Sequence, residues 1–331
     1  MFPKINVPIS KLGLSRFFQS SFNVKMAGLL SFSIFRIYIY LLGIIYFMLN
    51  HQEKRRVMLG IKYVFSRWFD WPKYITVVFR TFLGIFDHYY EKLLMAHRPM
   101  SEMINFLNPR LTLRNKRSLD EFVRQGLGVL LVTGHFGAVE FLPLTMALRG
   151  YRVAMIVKFK TAKLKRELLA QAKLVDVQLI DADEPKVAIN ALKALRNGRI
   201  LITQCDEFKL WRPYVDLHIS VFGNRVPRDK TLDFFYRRCG LPAFLGLMRR
   251  NGKGSFTLCL EPLAGGEKGV SLSARAWSKL EKYIMNYPEQ WYQWEDAVCD
   301  LANYIDWEEF DAKQEGIRVP TESPVLSSGP A

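Results

Sequence analysis

The sequence predicts an α/β fold, a mostly parallel central sheet flanked by helices, with an N-terminal membrane-associated helical segment ahead of it. Three observations carry the prediction. Beyond residue 110, apolar runs of four to nine residues alternate with amphipathic stretches of nine to sixteen, the rhythm of strands joined by crossover helices. Several of these runs are apolar throughout, as strands covered on both faces are. The first fifty residues, finally, hold a 23-residue apolar stretch in a wholly cationic setting. Of 331 residues, 50% are hydrophobic and 24% charged, which excludes a disordered chain and a polytopic membrane protein. Lys and Arg number 47 against 31 Asp and Glu, a formal charge of +16, so an anionic partner is expected: nucleic acid, an anionic bilayer or a phosphorylated substrate.

Residues 1–50 read as a basic segment with a membrane anchor helix. No acidic residue precedes Glu53, while Lys4, Lys11, Arg16, Lys25 and Arg36 do. The run 27–49 is interrupted only by Arg36 and would reach about 34 Å as a helix, enough to span a bilayer or to lie in its interface. A cleaved signal peptide fits poorly, because the run begins late and no small-residue cleavage site follows. Residues 51–110 read as an aromatic-rich helical region packing on the catalytic body, in two helices separated by Pro72.

Residues 111–310 form the expected α/β domain. Strands are expected at 128–133, 152–158, 177–180, 199–204, 215–223, 241–248 and 255–263. Helices are expected at 139–150, 162–173, 183–198, 232–240, 274–286 and 290–304. The tail, 311–331, has the Pro, Ser and Gly composition of disorder. The four cysteines show no C-x-x-C pair or zinc spacing, so no metal site is expected and they read as free thiols of a reducing compartment.

No G-x-S-x-G elbow, Walker A loop, H-E-x-x-H or complete dinucleotide fingerprint occurs. What remains is Thr133-Gly134-His135-Phe136-Gly137-Ala138-Val139-Glu140. Of the five histidines, His135 alone sits just past the carboxyl end of a buried strand, where open α/β sheets place ligands. Gly134 and Gly137 permit a tight turn and close approach of substrate to backbone. With His135 in the turn and Glu140 in the first helical turn, the carboxylate would reach back, fix the imidazole tautomer and leave the other nitrogen to take a proton. That is a triad without its serine, so the nucleophile would be a hydroxyl of the substrate. Lys158, Lys160, Arg225 and Arg228 fall at strand ends or in loops, where they would meet phosphates or remain solvated. Asp206, after the strand 199–204, would orient a base or cap a loop. Trp291 and Trp294 read as core.

The run G-H-F-G-A-V-E resembles the H-x-x-x-x-D/E motif of membrane glycerolipid and lipid A acyltransferases. It is most similar to the late (secondary) acyltransferases of lipid A assembly, within the lysophospholipid acyltransferase-like superfamily. In the same order along the chain, Asp206 matches an acid of that family, Val221-Phe222-Gly223 resembles its F-F-G element and Gly240-Leu241-Pro242 its G-A-P turn. Residues 287–294, Tyr-Pro-Glu-Gln-Trp-Tyr-Gln-Trp, are similar to its P-E-Q-W-x-W ending. The sequence departs at Lys158-Phe159-Lys160, where the family carries Arg-Pro, at the segment after Gly223, and at Glu295-Asp296, where the family continues His-Arg-Arg.

The resemblance implies a membrane-associated O-acyltransferase. It would transfer a fatty acyl chain from acyl carrier protein or acyl-CoA, as co-substrate, to a hydroxyl of a lipid A precursor or related glycolipid, or of a lysophospholipid. His135 and Glu140 would form the base, and the N–H groups of the glycine turn or Lys158 would meet the oxyanion. No metal or redox cofactor is implied. The expected place is the inner membrane with the catalytic domain facing the cytosol. The rival readings are a lipid-binding scaffold and a nucleic-acid binder. The second is disfavoured because the basic residues are scattered and the most cationic stretch is also the most apolar, so the expected partners include no nucleic acid.

Overall fold

The computed structural model describes residues 13–65, 71–159, 162–208, 212–263 and 270–295. The tail expected to be disordered lies outside them. Nine strands are described: β1 (Leu111–Arg114), β2 (Val129–Thr133), β3 (Val153–Val157), β4 (Val177–Asp181), β5 (Ile200–Gln204), β6 (Pro213–Val221), β7 (Asn224–Asp229), β8 (Ala243–Arg250) and β9 (Phe256–Pro262). Seven of them form one sheet in the order β1-β9-β8-β2-β5-β3-β4. Every neighbouring pair is parallel except β8 and β9. From β2 the chain winds outward through β3 to β4, returns to place β5 between β2 and β3, then crosses β2 to lay down β8 and β9. All five residues of β2 are buried, as are the first six of β8, which is why these runs carry no polar alternation.

The remaining two strands depart from expectation. β6 leaves the sheet and pairs antiparallel with β7 in a separate hairpin. Its two-residue turn places Phe222 at φ 49° and Gly223 at φ 80°. A phenylalanine in left-handed conformation costs about 1–2 kcal/mol. Its ring packs against Trp277, Trp291 and Trp294, which offsets the strain. Pro227 in β7 hid that strand from the sequence, since proline is tolerated only at sheet edges.

The helices are α1 (Leu14–Phe18), α2 (Ser21–Leu29), α3 (Phe32–Leu49), α4 (His51–Phe65), α5 (Trp71–His97), α6 (Met100–Leu107), α7 (Arg117–Arg124), α8 (Leu142–Leu148), α9 (Ala162–Lys173), α10 (Val187–Arg196), α11 (Lys230–Cys239) and α12 (Leu272–Asn286). Ser20, Ser31 and Ser271 cap α2, α3 and α12 through their hydroxyls, each satisfying one amide of a first turn. The expected helix 139–150 is shorter: Val139–Phe141 forms a 3-10 turn before α8. The expected helix 290–304 does not begin at Gln290. Pro288–Gln290 is a 3-10 turn, after which Trp291 is extended and bridges Phe136.

The 27-residue α5 joins the N-terminal helices to the sheet. One side packs on α3, where Gly43 faces the Phe86 ring and Phe47 meets Phe82 at 4.7 Å. Arg36 there donates to both Asp87 oxygens, at 2.8 and 3.1 Å. The other side packs on the 3-10 turns at 139–141 and 288–290. A Cβ on Gly84 would stand 2.2 Å from the Glu289 carbonyl, so α5 comes this close to the C-terminal segment only as glycine. Glu91 on the same side holds Arg250 of β8 in a buried bidentate pair, at 2.7 and 2.8 Å.

Candidate active site

β2 and β5 run parallel with Thr133 opposite Gln204. Two residues further on, the same register sets His135 beside Asp206. The Asp206 carboxylate is fully buried and accepts three hydrogen bonds, two from His135 and one from the C-terminal segment. The His135 backbone N–H donates to Oδ2 at 2.7 Å, Nδ1 lies 2.9 Å from Oδ1, and Trp291 Nε1 donates to Oδ2 at 2.8 Å. On the far side of the ring, Nε2 lies 3.0 Å from Glu207 Oε1 and 3.2 Å from the Gln204 amide. Burial disfavours the imidazolium. Asp206 and then Glu207 outweigh that cost, and the ring is held up at about 10.

Glu140 turns away. Its Oε1 stands 3.5 Å from Lys92 Nζ and 3.7 Å from His88 Nδ1, both on α5. The expectation that it orients His135 is corrected: the turn carrying it is pinned elsewhere, so no helical turn brings the carboxylate back. Gly137 N–H donates to the Gln290 carbonyl and Ala138 N–H to the Met248 carbonyl, each at 2.7 Å, while Phe136 N–H donates to the Gly134 carbonyl at 2.7 Å. These bonds also spend the amides expected to form an oxyanion hole.

The two glycines serve packing against protein. Gly137 has φ +58°, and a Cβ there would fall 1.8 Å from the Met248 carbonyl oxygen. A Cβ on Gly134 would stand 3.0 Å from Asp206 Oδ2 and 2.7 Å from Leu280. Lys158, just past β3, is at the same sheet edge, but its side chain is 62% exposed and 3.5 Å from Asp183. Arg228 is drawn into the hairpin, 3.0 Å from Asp233 yet not aligned for a hydrogen bond, with its guanidinium over Tyr214. Neither contacts His135. Lys160 lies outside the described residues.

The sequence reading missed the segment that closes the site. Tyr292 N–H donates to the His135 carbonyl at 3.3 Å, and Gln293 Nε2 lies 3.0 Å from His135 Nδ1. The Tyr292 ring meets His135 edge-on at 5.3 Å and stacks on His88 at 3.8 Å. Trp291 is indeed buried, yet its indole N–H fixes the key carboxylate. The signal was present in the W-x-x-W run, but nothing in a spacing of 156 residues tells which strand end such a run will cover.

The arrangement is an imidazole clamped between a fixed, buried carboxylate and a half-exposed one, at the carboxyl edge where β2 and β5 meet. By its chemistry such an imidazole can hold or pass a proton at Nε2. Comparisons with protein-family models and with curated proteins find no match for this chain.

Proposed function

We propose that this chain is a membrane-associated O-acyltransferase. It moves a fatty acyl group from acyl carrier protein or acyl-CoA to a hydroxyl of a lipid A precursor or related glycolipid. The observation that carries the reading is the His135–Asp206 pair, set at a sheet edge in a turn resembling that of lipid acyltransferases. Asp206 keeps a proton on Nδ1 and offsets the charge that forms on the ring. Nε2 takes the acceptor's proton as its oxygen attacks the thioester carbonyl. The C–S bond then breaks, and the leaving thiolate regains the proton from Nε2. With the glycine-turn amides spent, the Gln204 side-chain amide beside Nε2 is the donor assigned to the oxyanion.

Membrane association is supported by α3. Its outer face exposes Ile34, Ile37, Leu41, Ile44, Ile45 and Met48, three and four residues apart on one side of the helix. Its inner face (Phe35, Ile39, Tyr46 and Phe47) is buried. The antiparallel α5 sets the exposed Ile75 and Phe79 at the same end as Met48. A helix half committed to protein, with Arg36 tied to Asp87, favours lying in the interface over spanning alone. Acyl thioesters are cytosolic, so the sheet domain would face the cytosol at the inner membrane.

One observation favours a second reading, a non-catalytic lipid-binding protein: Glu207 already fills the hydrogen-bonding position at Nε2. Thiol release on adding anionic glycolipid to the protein and either thioester separates the two. Release is expected. If neither donor is consumed, the enzyme reading fails.

A further inference from the structure

Asp206 and Glu207 are adjacent in sequence and opposite in character. Asp206 is sealed and bonded from both β2 and the C-terminal segment. Glu207 has 35% of its side chain exposed and, among the described residues, one polar partner, the His135 imidazole. The backbone around it is held: Trp277 Nε1 donates to the Cys205 carbonyl at 3.0 Å, and the Phe208 ring stacks on Trp277 at 5.3 Å. The Glu207 side chain, by contrast, is part-exposed.

We propose that Glu207 is a proton-accepting gate: its carboxylate holds the place at Nε2 that the acceptor hydroxyl must take, and it carries the Nε2 proton away when displaced. The inference rests on the acyltransferase reading. It resolves the difficulty that an imidazolium clamped by two carboxylates has no lone pair with which to act as a base. On displacement the N–H bond at Nε2 breaks, the proton passes to Glu207 Oε1, and the carboxylic acid releases it to water. His135 is left neutral with Nδ1–H on Asp206, and Nε2 receives the acceptor O–H. Tyr292 of the C-terminal segment meets the ring edge-on, and the charged and titratable groups behind it are Glu140 of the 3-10 turn, His88, Glu91 and Lys92 of α5, and Arg250 of β8. None of them bonds to Nε2 among the described residues.

The test is a nitrogen-15 NMR titration of the His135 ring in the full chain and in Glu207→Gln, beside the pH profile of kcat/KM for acyl transfer to lipid. The near-isosteric change at a part-exposed side chain should leave the far-UV circular dichroism unmoved, so that a lowered ring titration reads the lost Glu207 charge and not a lost fold; the weaker proton binding itself lowers the unfolding midpoint at neutral pH. The native ring is expected to titrate near 10, and the variant at least about one pH unit lower. The acid limb of its rate profile should move by the same amount, about tenfold faster at pH 7 per unit. An unshifted ring titration would overturn the proposal. So would a shifted ring with an unmoved rate profile, which makes Glu207 a clamp but no gate. A shifted ring in a protein that consumes neither thioester would instead contradict the acyltransferase reading and leave the clamp standing.

Discussion

At the scale of single residues, which carboxylate serves His135 is decided by strand register. Asp206 follows a strand hydrogen-bonded to the one that His135 follows, so parallel pairing brings them together across 71 residues of sequence. Glu140, five residues away, is turned aside by bonds of the turn itself. Asp206→Asn should therefore lower acyl transfer about 100- to 10,000-fold by loosening the tautomer. Glu140→Gln should stay within about fivefold, as expected for a part-exposed ion pair. Initial rates with one donor check both, and the reverse order would overturn the assignment. Gly137→Ala forces a side chain into the Met248 carbonyl at a positive φ. It should cost about 3 kcal/mol or more of stability, read from denaturant unfolding.

At the scale of elements, α3 and α5 act as one unit with two faces. The inner faces interlock through Phe47, Phe82 and Phe86 and through the Arg36–Asp87 pair, while the outer face of α3 is left bare. Each apolar side chain moved from water into lipid contributes about 1.5–3 kcal/mol. Ile37→Glu with Ile44→Glu should thus abolish sedimentation with anionic vesicles while leaving far-UV circular dichroism and the melting temperature intact. Retained binding would place the lipid contact elsewhere. The apolar run and its cationic setting were legible from residue order alone. That one face was already taken by α5 was not, because Asp87 lies 51 residues beyond Arg36 and nothing local links them. Six of the seven strands of the main sheet were legible for a related reason: doubly buried runs such as 129–133 carry their own signature, which the four-residue, half-exposed edge strand β1 lacks. β7, broken by Pro227, and the extended segment at Trp291 are held by partners distant in sequence and left no local pattern.

At the scale of the whole molecule, two buried ionic centres tie the layers together. Glu91 on α5 and Arg250 on β8 are enclosed and bidentate. Glu91→Ala leaves the guanidinium buried and unpaired and should destabilise the fold by about 3–5 kcal/mol, measured by urea unfolding. His135 binds its proton more tightly folded than unfolded, at about 10 against an ordinary 6.5. Its contribution to stability is therefore complete below about pH 6.5 and drains away as pH rises through about 10. Melting temperatures across that window should fall further for the native chain than for Asp206→Asn, and equal slopes would contradict the clamp. In the proposed function this imidazole transfers protons for acyl transfer to a lipid hydroxyl. The decisive measurement is mass spectrometry of anionic lipid extract incubated with acyl carrier protein thioester and either the native chain or His135→Ala. The predicted result is a lipid that gains one acyl chain with the native protein alone. Equal acylation by the variant, or no acylated lipid and no thioester consumed by either, would contradict it.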